Sequence, residues 1–292
     1  MANKTTKIVG IVGLGSMGQR YASYLKGCKD TIVIGCDVRP EVHTDDYVCV
    51  DSVENLLNTV EPDVMIIASP AEHHLEILYT VHDAVPSCSI LIEKPLTNRR
   101  LELEDFERCR AFGGSLIAVG YCWRFHPYTN HLRRVRNGIR NITLYSGSDM
   151  QTWPGHHYAD PLREFSHELD LVVYLTKRIT LGSAALSPSG LYVMNGEHAQ
   201  GKWEVRIAPF VKDYGRWIKV DMHDKSSVTY HWDVTKETID VMYKKQANQL
   251  VHASRVSHLL CPLLSGLETT LLVDEIDARI EGQETWLPKR PM

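Results

Sequence analysis

Residues 7–18 read KIVGIVGLGSMG, and this stretch decides the fold of the first part of the chain. The β-branched run over residues 7–12 predicts a buried strand, and the pattern that follows predicts a helix over residues 19–26. Three glycines lie between these elements in the spacing GxGxxG, and they are Gly13, Gly15 and Gly18. In dinucleotide-binding folds the first permits a tight turn, the second lets a pyrophosphate approach the backbone, and the third lets helix and strand pack closely.

The GxGxxG spacing alone is a weak signal, because glycine-rich turns occur in many folds. Its position between a strand and a helix strengthens it, since a helix N-terminus offers backbone N–H groups to phosphates. Ser16 and Met17 complete the loop, so we expect both to belong, with the glycines, to a cofactor-binding site.

The next apolar run, residues 31–36, ends at Asp37. An acidic side chain about 20 residues after the glycine loop binds both hydroxyls of the adenosine ribose and repels a 2′-phosphate. Asp37 therefore favours NAD as the cofactor. Arg39 stands two residues further on and can receive a phosphate, so NADP remains the alternative.

Apolar runs alternate with helical patterns through residues 1–120, which predicts a parallel sheet in a Rossmann domain. The further strand patterns in this part cover residues 31–36, 64–68, 89–92 and 116–119. The further helical patterns cover residues 53–58, 71–81 and 101–110.

Residues 121–292 have a different texture, with strand patterns of mixed or alternating polarity. These patterns cover residues 142–150, 191–194, 203–208, 217–222 and 228–232. Turn signals separate them, among them Asn195-Gly196 and Tyr214-Gly215. The prediction is a C-terminal α+β domain with an open, mostly antiparallel sheet, in an α/β protein of two domains. We expect the last helix, residues 266–280, to pack back on the first domain.

Composition excludes several classes of function. The formal net charge is -4, with lysine and arginine spread along the chain, so there is no footprint for nucleic acid or for an anionic membrane. No apolar run reaches the about 18 to 20 residues that span a bilayer. The seven cysteines have neither CxxC nor metal-ligand spacing, which predicts reduced thiols in a cytoplasmic protein and no metal site.

Glu93-Lys94-Pro95 directly follows the strand pattern over residues 89–92. This position lies at the carboxyl edge of the predicted parallel sheet, where such folds bind their ligands. Lys94 can therefore donate to a substrate oxygen or tune a neighbouring base. A surface turn with a solvated lysine is the alternative.

Residues 163–175 read REFSHELDLVVYL and place Glu164, His167 and Asp170 at intervals of three in an apolar segment. Residues three apart share one face of a helix, so these groups predict a polar stripe. An imidazole titrates near neutral pH and can act as a general acid or base. The alternative is a buried hydrogen-bonded pair of His167 and Asp170 that orients the helix.

Five stretches together resemble the Gfo/Idh/MocA oxidoreductase family, in the family's order and over nearly the whole chain. They are GLGSMG (13–18), DVMIIASPAEHHLEIL (63–78), LIEKPLT (91–97), AVGYCWRFHP (118–127) and SHELDLVVYL (166–175). The resemblance implies a Rossmann domain and a C-terminal domain whose open sheet makes homo-oligomer contacts. It also implies NAD(P)-linked hydride transfer at a carbon of a sugar, cyclitol or nucleotide sugar.

The resemblance also implies individual roles. Lys94 matches the family's catalytic-site lysine, His167 its acid/base histidine, and Asp170 the acid one turn further on. Around the nicotinamide half of the cofactor it places Ser69, Pro70, His74 and Glu93.

The chain departs from the family pattern at Arg163, where the usual motif has an Asp four residues before the histidine. Glu164, one residue later, can substitute for it, as in family branches that read ELSHEID. The glycine-rich run that commonly precedes the motif is replaced by HHYADPL. These changes affect the expected substrate and proton relay more than the fold.

The resulting hypothesis places His167 at the nicotinamide C4 edge, in a cleft between the domains, where it takes or returns the proton of a substrate hydroxyl. Lys94 would stabilise the developing alkoxide, and Glu164 or Asp170 would fix the tautomer of the imidazole. Further expected substrate contacts are Arg124, Trp153, His157, Tyr158 and Arg163, with His126 and His156 nearby in sequence. Interdomain salt bridges for the arginines and a plain solvated loop for residues 153–158 are the alternatives.

Two rival functions remain open from the sequence. One is a catalytically silent dinucleotide-binding sensor or regulator on the same fold, which the Arg163 departure motivates. The other is a reductase of an imine or a tetrapyrrole, since relatives of the fold do such chemistry. The expected partners are otherwise a small sugar-like substrate and further copies of the chain.

Overall fold

The chain forms two compact units, seen in a computed structural model that describes residues 6–112, 116–152, 160–232, 235–252 and 259–283. The first unit comprises Met1–Cys122 and Asp240–Gly266, and the second comprises Trp123–Ile239 and Leu267–Met292. The predicted domains, residues 1–120 and 121–292, do not include the return of residues 240–266 to the first unit.

The first unit contains a seven-stranded sheet. Its strands are β1 (Lys7–Val12), β2 (Thr31–Cys36), β3 (Val48–Val50), β4 (Val64–Ile67), β5 (Ser89–Ile92), β6 (Ile117–Val119) and β13 (Cys261–Pro262). They are ordered β13-β6-β5-β4-β1-β2-β3. Strands β1 to β6 pair in parallel, and β13 is antiparallel to β6. Every residue of β4 is buried, as expected for an inner parallel strand. The predicted Rossmann sheet is confirmed.

The helices of the first unit alternate with these strands. They are α1 (Ser16–Leu25), α2 (Val53–Thr59), α3 (His74–Ala84) and α4 (Leu103–Ala111). A later helix, α8 (Lys236–His252), returns to this unit from Asp240 onward and contacts α1. Tyr24 of α1 donates to Asp240 over 2.7 Å. Sequence patterns predict neither α8 nor β13.

The second unit contains a six-stranded sheet. Its strands are β7 (Ile139–Asp149), β8 (Ile179–Leu186), β9 (Tyr192–His198), β10 (Gly201–Ala208), β11 (Phe210–Met222) and β12 (Ser227–His231). The order is β12-β11-β7-β10-β9-β8. Only β7 and β10 pair in parallel among these neighbours, so the predicted mostly antiparallel sheet is confirmed.

Two predicted turns in this sheet are wrong. Asn195-Gly196 lies inside β9, where a Cβ on Gly196 would be 1.8 Å from the carbonyl oxygen of Thr180. The glycine is therefore required by close strand approach and not by a turn. Tyr214-Gly215 lies inside β11, where the pairing with β7 shifts register.

The helices of the second unit are α5 (Pro127–Val135), α6 (Pro161–Glu164), α7 (Ser166–Thr176) and, from Leu267 onward, α9 (Leu263–Glu281). The single helix predicted over residues 163–175 is wrong, because Phe165 separates α6 from α7. Glu164 therefore does not continue the helical stripe of His167 and Asp170. In the described ranges, no helix has the length and apolar character required to cross a membrane.

Candidate active site

The glycine loop forms a tight connection between β1 and α1. Gly13 has φ +87°, and a Cβ there would lie 2.5 Å from the backbone nitrogen of Ser69. A Cβ on Gly18 would lie 1.8 Å from the carbonyl oxygen of Gly13. A Cβ on Gly15 would meet nothing within 4 Å. Gly13 and Gly18 are thus required by the fold, whereas Gly15 keeps space open above the loop.

A cleft of about 650 Å³ opens at this loop within the first unit. The N-terminus of α1 borders it at Gly15 and carries no side-chain cap, which leaves its first N–H groups available to an anion. The predicted cofactor-binding residues that line the cleft are Gly13, Gly15, Asp37, Arg39, Ser69 and Pro70. Of the other predicted loop residues, Ser16 is exposed, Met17 is half-buried, and Gly18 is buried.

Asp37 is buried at the end of β2 and accepts four hydrogen bonds. Its Oδ2 accepts from the backbone of Leu14 over 2.7 Å, and Arg39 reaches both oxygens through Nε and Nη2 at 3.0 Å each. The backbone N–H of Arg39 adds a bond of 3.0 Å. Burial raises the pKa of the Asp37 carboxyl, but the hydrogen bonds from Arg39 and Leu14 outweigh it, so the net pKa is lowered. The side chain is therefore an ionised acceptor.

Two further acids line the same cleft and were missed from the sequence. Asp51 directly follows β3, whose last residue, Val50, accepts a backbone hydrogen bond of 3.1 Å from Asp37. Glu54 lies in the first turn of α2. These two acids were missed because β3 has only three residues, too few to show the periodic pattern that predicts a strand.

The turn after β5 places Glu93 inside the protein and Lys94 in a half-buried position. Tyr21 of α1 donates to Glu93 Oε1 over 2.5 Å, and the backbone N–H of Lys94 donates to Oε2 over 3.1 Å. Burial raises the pKa of the Glu93 carboxyl, and these hydrogen bonds oppose the rise. The Lys94–Pro95 peptide bond is cis.

His74 connects two turns of the first unit and does not line the cleft. One ring nitrogen lies 2.8 Å from the carbonyl oxygen of Ser69, and the other lies 2.9 Å from that of Pro95. Burial lowers the pKa of the His74 imidazole, although both carbonyl contacts favour its protonated form. The residue thus joins the turn after β4 to the turn after β5.

His167 lies in the second unit, in the first turn of α7, and is buried. Its ring stacks on Trp123, with 5.3 Å between centroids and 10° between planes. The guanidinium of Arg216 on β11 lies 4.7 Å from the centroid of the same indole. Arg216 Nε is also 3.7 Å from Oε1 of the buried Glu168. Trp232 packs on Trp123 at 4.8 Å.

Asp170, predicted to fix the tautomer of His167, forms a buried ion pair with Arg124. Arg124 Nη2 lies 2.6 Å from Oδ1, and Nε lies 2.8 Å from Oδ2. Arg124, predicted to contact substrate, therefore has its charge neutralised inside the second unit. The pair joins α7 to the segment that precedes α5.

Arg163, the second arginine predicted to contact substrate, is also buried in ion pairs. Its Nη2 lies 2.7 Å from Asp274 Oδ1 and 3.9 Å from Asp277 Oδ2 on α9, and its Nε lies 3.3 Å from Asp160. Glu164, the next residue, is half-buried at the end of α6. The predicted residues Trp153, His157 and Tyr158, and their neighbour His156, lie outside the described residues.

Residues 7–121 match the profile of a family described as an oxidoreductase family with an NAD-binding Rossmann fold. This match covers less than half of the chain, and over these residues the chain resembles the Gfo/Idh/MocA oxidoreductase family. No curated protein matches the chain by sequence. The predicted resemblance to the family is confirmed over these residues.

Solved structures extend the likeness over both units. A myo-inositol dehydrogenase from Corynebacterium glutamicum has 15% identity and a TM-score of 0.79, covering 97% of this chain and 99% of that chain. A scyllo-inositol dehydrogenase from Lactobacillus casei, solved with NAD(H) and scyllo-inositol, has 15% identity and a TM-score of 0.76, covering 95% and 98%. A UDP-N-acetylglucosamine 3-dehydrogenase from Acidithiobacillus ferrooxidans has 18% identity and a TM-score of 0.74, covering 95% and 98%. At these identities the likeness shows the fold alone.

The cleft fits NAD, the cofactor that the description of the matched family names. Gly15 leaves room where a pyrophosphate approaches the helix N-terminus. The ionised Asp37 can accept from ribose hydroxyls where these replace the side chain of Arg39, which is 53% exposed. Among the residues described, no group of three or more His, Cys, Asp or Glu side chains is arranged to hold a metal ion.

The surroundings of the family's histidine were largely missed. Trp123, Arg216 and Glu168 come from three separate parts of the sequence and meet only in the folded second unit. Glu168 did offer a signal, as a second acid beside Asp170 in a largely apolar helix.

Proposed function

We propose that this chain is an NAD-dependent oxidoreductase that acts on the CH–OH carbon of a sugar-like alcohol or on the corresponding ketone. The observation that carries the proposal is the cleft formed by the glycine loop and Asp37 in a chain that also has the family's lysine and histidine. The names of the similar structures support a cyclitol, a sugar or a nucleotide sugar as the substrate. When bound, NAD supplies the hydride acceptor or donor.

Lys94 is proposed to hold the substrate oxygen. Its ammonium donates to the hydroxyl or carbonyl oxygen of the reacting carbon and stabilises negative charge that develops there. Glu93 orients the backbone of Lys94 through its hydrogen bond of 3.1 Å. His74 supports the same turn by its contact with the carbonyl of Pro95. We therefore propose positioning roles for Glu93 and His74 instead of direct cofactor contact.

His167 is proposed to move the proton of the substrate hydroxyl. In the oxidising direction the imidazole accepts that proton as the carbon loses its hydride, and in the reducing direction it returns it. Stacking on Trp123 holds the ring plane. Asp170 and Arg124 are proposed to anchor the helix that carries His167, rather than to contact substrate, because each neutralises the other inside the protein.

Arg163 is proposed to be structural. Its guanidinium lies among Asp160, Asp274 and Asp277, so its charge is already balanced within the second unit. Glu164 remains a candidate for the relay that supports His167, in place of the family's acid.

The test is reduction of NAD⁺ by a panel of cyclitols, sugars and nucleotide sugars, followed by the absorbance of NADH. With the best substrate, His167→Ala and Lys94→Ala are each expected to lower kcat by about 10²- to 10⁴-fold. Exposed residues of the same types serve as controls, and His131→Ala and Lys202→Ala should retain full turnover. Full turnover by both site variants would refute the assignment of the site.

A catalytically silent sensor is the second candidate function, and Arg163 at the position of the family's Asp favours it. The same panel separates the two. Tight NADH binding without turnover of any member supports the sensor, whereas turnover excludes it.

We also propose that the chain forms a homo-oligomer through the sheet of the second unit. Large apolar side chains are exposed on three of its strands, namely Leu186, Phe210 and Val228. Light scattering after size-exclusion chromatography tests this, and Phe210→Asp should increase the fraction of monomer. A cytoplasmic location is proposed from the seven free cysteines.

A further inference from the structure

A polar network is buried in the first unit behind the turn that carries Lys94. It consists of Tyr21 on α1, Glu93 after β5 and Gln246 on α8, whose exposed fractions are 0%, 5% and 0%. The Tyr21 hydroxyl lies 2.5 Å from Glu93 Oε1 and 3.0 Å from Gln246 Oε1. Burying three polar side chains is costly unless they bond to one another.

With Glu93 ionised, the hydrogen bonds of this network run in one consistent direction. A tyrosine hydroxyl has one proton, yet Tyr21 faces two acceptor oxygens. The amide nitrogen of Gln246 is meanwhile buried without a hydrogen-bond partner among the described residues. Exchanging the amide oxygen and nitrogen, which have the same shape, removes the conflict at Tyr21. Gln246 then donates to Tyr21, and Tyr21 donates to Glu93.

The hydrogen bonds that run from Gln246 through Tyr21 to Glu93 form a relay. Glu93 links this relay to the backbone of the turn that carries Lys94. While Tyr21 donates to Oε1, Oε2 accepts from the backbone N–H of Lys94 at 3.1 Å. The carboxylate is therefore held at both oxygens, between α1 and the first residue of the turn. The titratable or charged groups that act on Glu93 and its partners from the packed elements are Arg20, Tyr21, Lys94, Cys122 and Tyr243.

We propose that Tyr21 and Gln246 are positioning residues for the reaction, which orient Glu93 and, through it, the backbone of Lys94. The proposal rests on the proposed function, because that function assigns the substrate oxygen to Lys94. It gives a reason for the return of residues 240–266 to the first unit: α8 supplies Gln246, the first donor of the relay.

The relay predicts a defect that depends on pH. Burial raises the pKa of Glu93, and the hydrogen bond from Tyr21 is the largest effect that opposes this rise. Without that donor the carboxyl takes up a proton at higher pH, because less holds its ionised form. A protonated carboxyl is a weaker acceptor for the backbone N–H of Lys94 than a carboxylate is. Function should then fail on the acid side at a pH where the wild-type chain still works.

The experiment compares Tyr21→Phe with wild type across pH. The affinity for NADH is measured by fluorescence, and kcat is measured with the best substrate of the panel. The acid limb of both profiles is expected to move up by about one pH unit in Tyr21→Phe, as expected for loss of one hydrogen bond to a carboxylate. Tyr79→Phe is the matched control, because Tyr79 also donates to a carboxylate, Asp105, over 3.0 Å in the same unit. Its profile should match that of wild type.

Unshifted profiles in a folded Tyr21→Phe would overturn the proposal and leave the network a structural feature. This result is distinct from failure of the proposed function, in which the wild-type chain turns over no member of the panel. In that case the pH profile of NADH affinity still tests the relay, because His74 joins this turn to Ser69, which lines the NAD cleft.

Two further variants keep the test decisive if Tyr21→Phe does not fold. Gln246→Leu removes the first donor at similar volume and should shift the acid limb in the same direction by a smaller amount. In a Glu93→Gln background, the further change Gln246→Leu should have no effect on either profile, since the titrating group is gone. An additional shift in that background, or none in Gln246→Leu alone, would contradict the relay.

Discussion

Arg124 and Asp170 form a bidentate ion pair in which the two side chains are only 2% and 1% exposed. The contacts measure 2.6 Å and 2.8 Å, and they connect the segment before α5 to the helix that carries His167. A buried pair of this kind need not add net stability, because both charges lose their hydration. Removing one partner alone should lower stability, because the charge of the other partner remains in the interior.

Arg124→Met is therefore expected to lower the free energy of unfolding by about 3 to 5 kcal/mol. The loss arises mainly because the buried charge of Asp170 loses its bidentate partner, so the double variant Arg124→Met/Asp170→Leu should recover most of it. Urea unfolding followed by circular dichroism measures both changes. Arg206→Met removes an exposed arginine paired to Glu204 and should cost less than about 1 kcal/mol. A loss that small in Arg124→Met would contradict the role given to the buried pair.

The glycine loop separates a folding requirement from a binding requirement. Gly18→Ala should destabilise the first unit, because its Cβ would collide with the carbonyl oxygen of Gly13 at 1.8 Å. Gly15→Ala should fold normally, since its Cβ meets nothing within 4 Å, but it should bind NADH at least about tenfold more weakly if the pyrophosphate occupies that space. Thermal unfolding and NADH fluorescence titration distinguish these outcomes. Unchanged NADH affinity in Gly15→Ala would place the pyrophosphate elsewhere.

Arg39 is expected to contribute more to the binding of NADP than to the binding of NAD. Its side chain is 53% exposed and is held by Asp37, so its removal should change stability little. Without it, the cleft retains Asp37, Asp51 and Glu54 and has lost the charge that can receive a 2′-phosphate. Arg39→Ala should therefore weaken NADP binding by about tenfold, the scale of one charge-assisted hydrogen bond, with a smaller effect on NAD.

Dissociation constants for both dinucleotides, measured by calorimetry at fixed salt, give the ratio that decides this prediction. Arg108→Ala is the control, because Arg108 pairs with Asp83 at 2.6 Å and does not line the cleft. Equal losses for NAD and NADP in Arg39→Ala would mean that the arginine serves the shared part of the cofactor.

Features that depend on neighbouring residues could be predicted from the sequence. One continuous pattern predicts the strand, glycine loop and helix at residues 7–25. Asp37 and Lys94 were found because each lies within two residues of the end of an apolar strand. The spacing of Glu164, His167 and Asp170 pointed to His167, and the family resemblance implied its role as acid or base. These local signals were enough for the Rossmann sheet and for the choice of NAD.

Features that depend on distant residues could not be predicted. Gln246 is separated from Tyr21 by 225 residues, and nothing in the amphipathic pattern of α8 indicates the unit to which it returns. The break at Phe165 was hidden by an apolar segment that fits one helix as well as two. The role of Arg163 depends on Asp274, 111 residues later, so its replacement of the family's acid could not be interpreted locally.

Arg163 provides the last prediction, because restoring the family's residue there should harm the protein. Arg163→Asp would set a carboxylate against Asp160, Asp274 and Asp277, and would remove the Arg163 cation from the buried Asp274. We expect a loss of about 3 to 5 kcal/mol in the free energy of unfolding. The exchange Arg163→Asp/Asp274→Arg restores opposite charges and should recover part of it. Urea unfolding and kcat are measured on the same preparations. If Arg163→Asp were as stable as wild type and more active, Arg163 would have replaced a catalytic acid and would have no structural role.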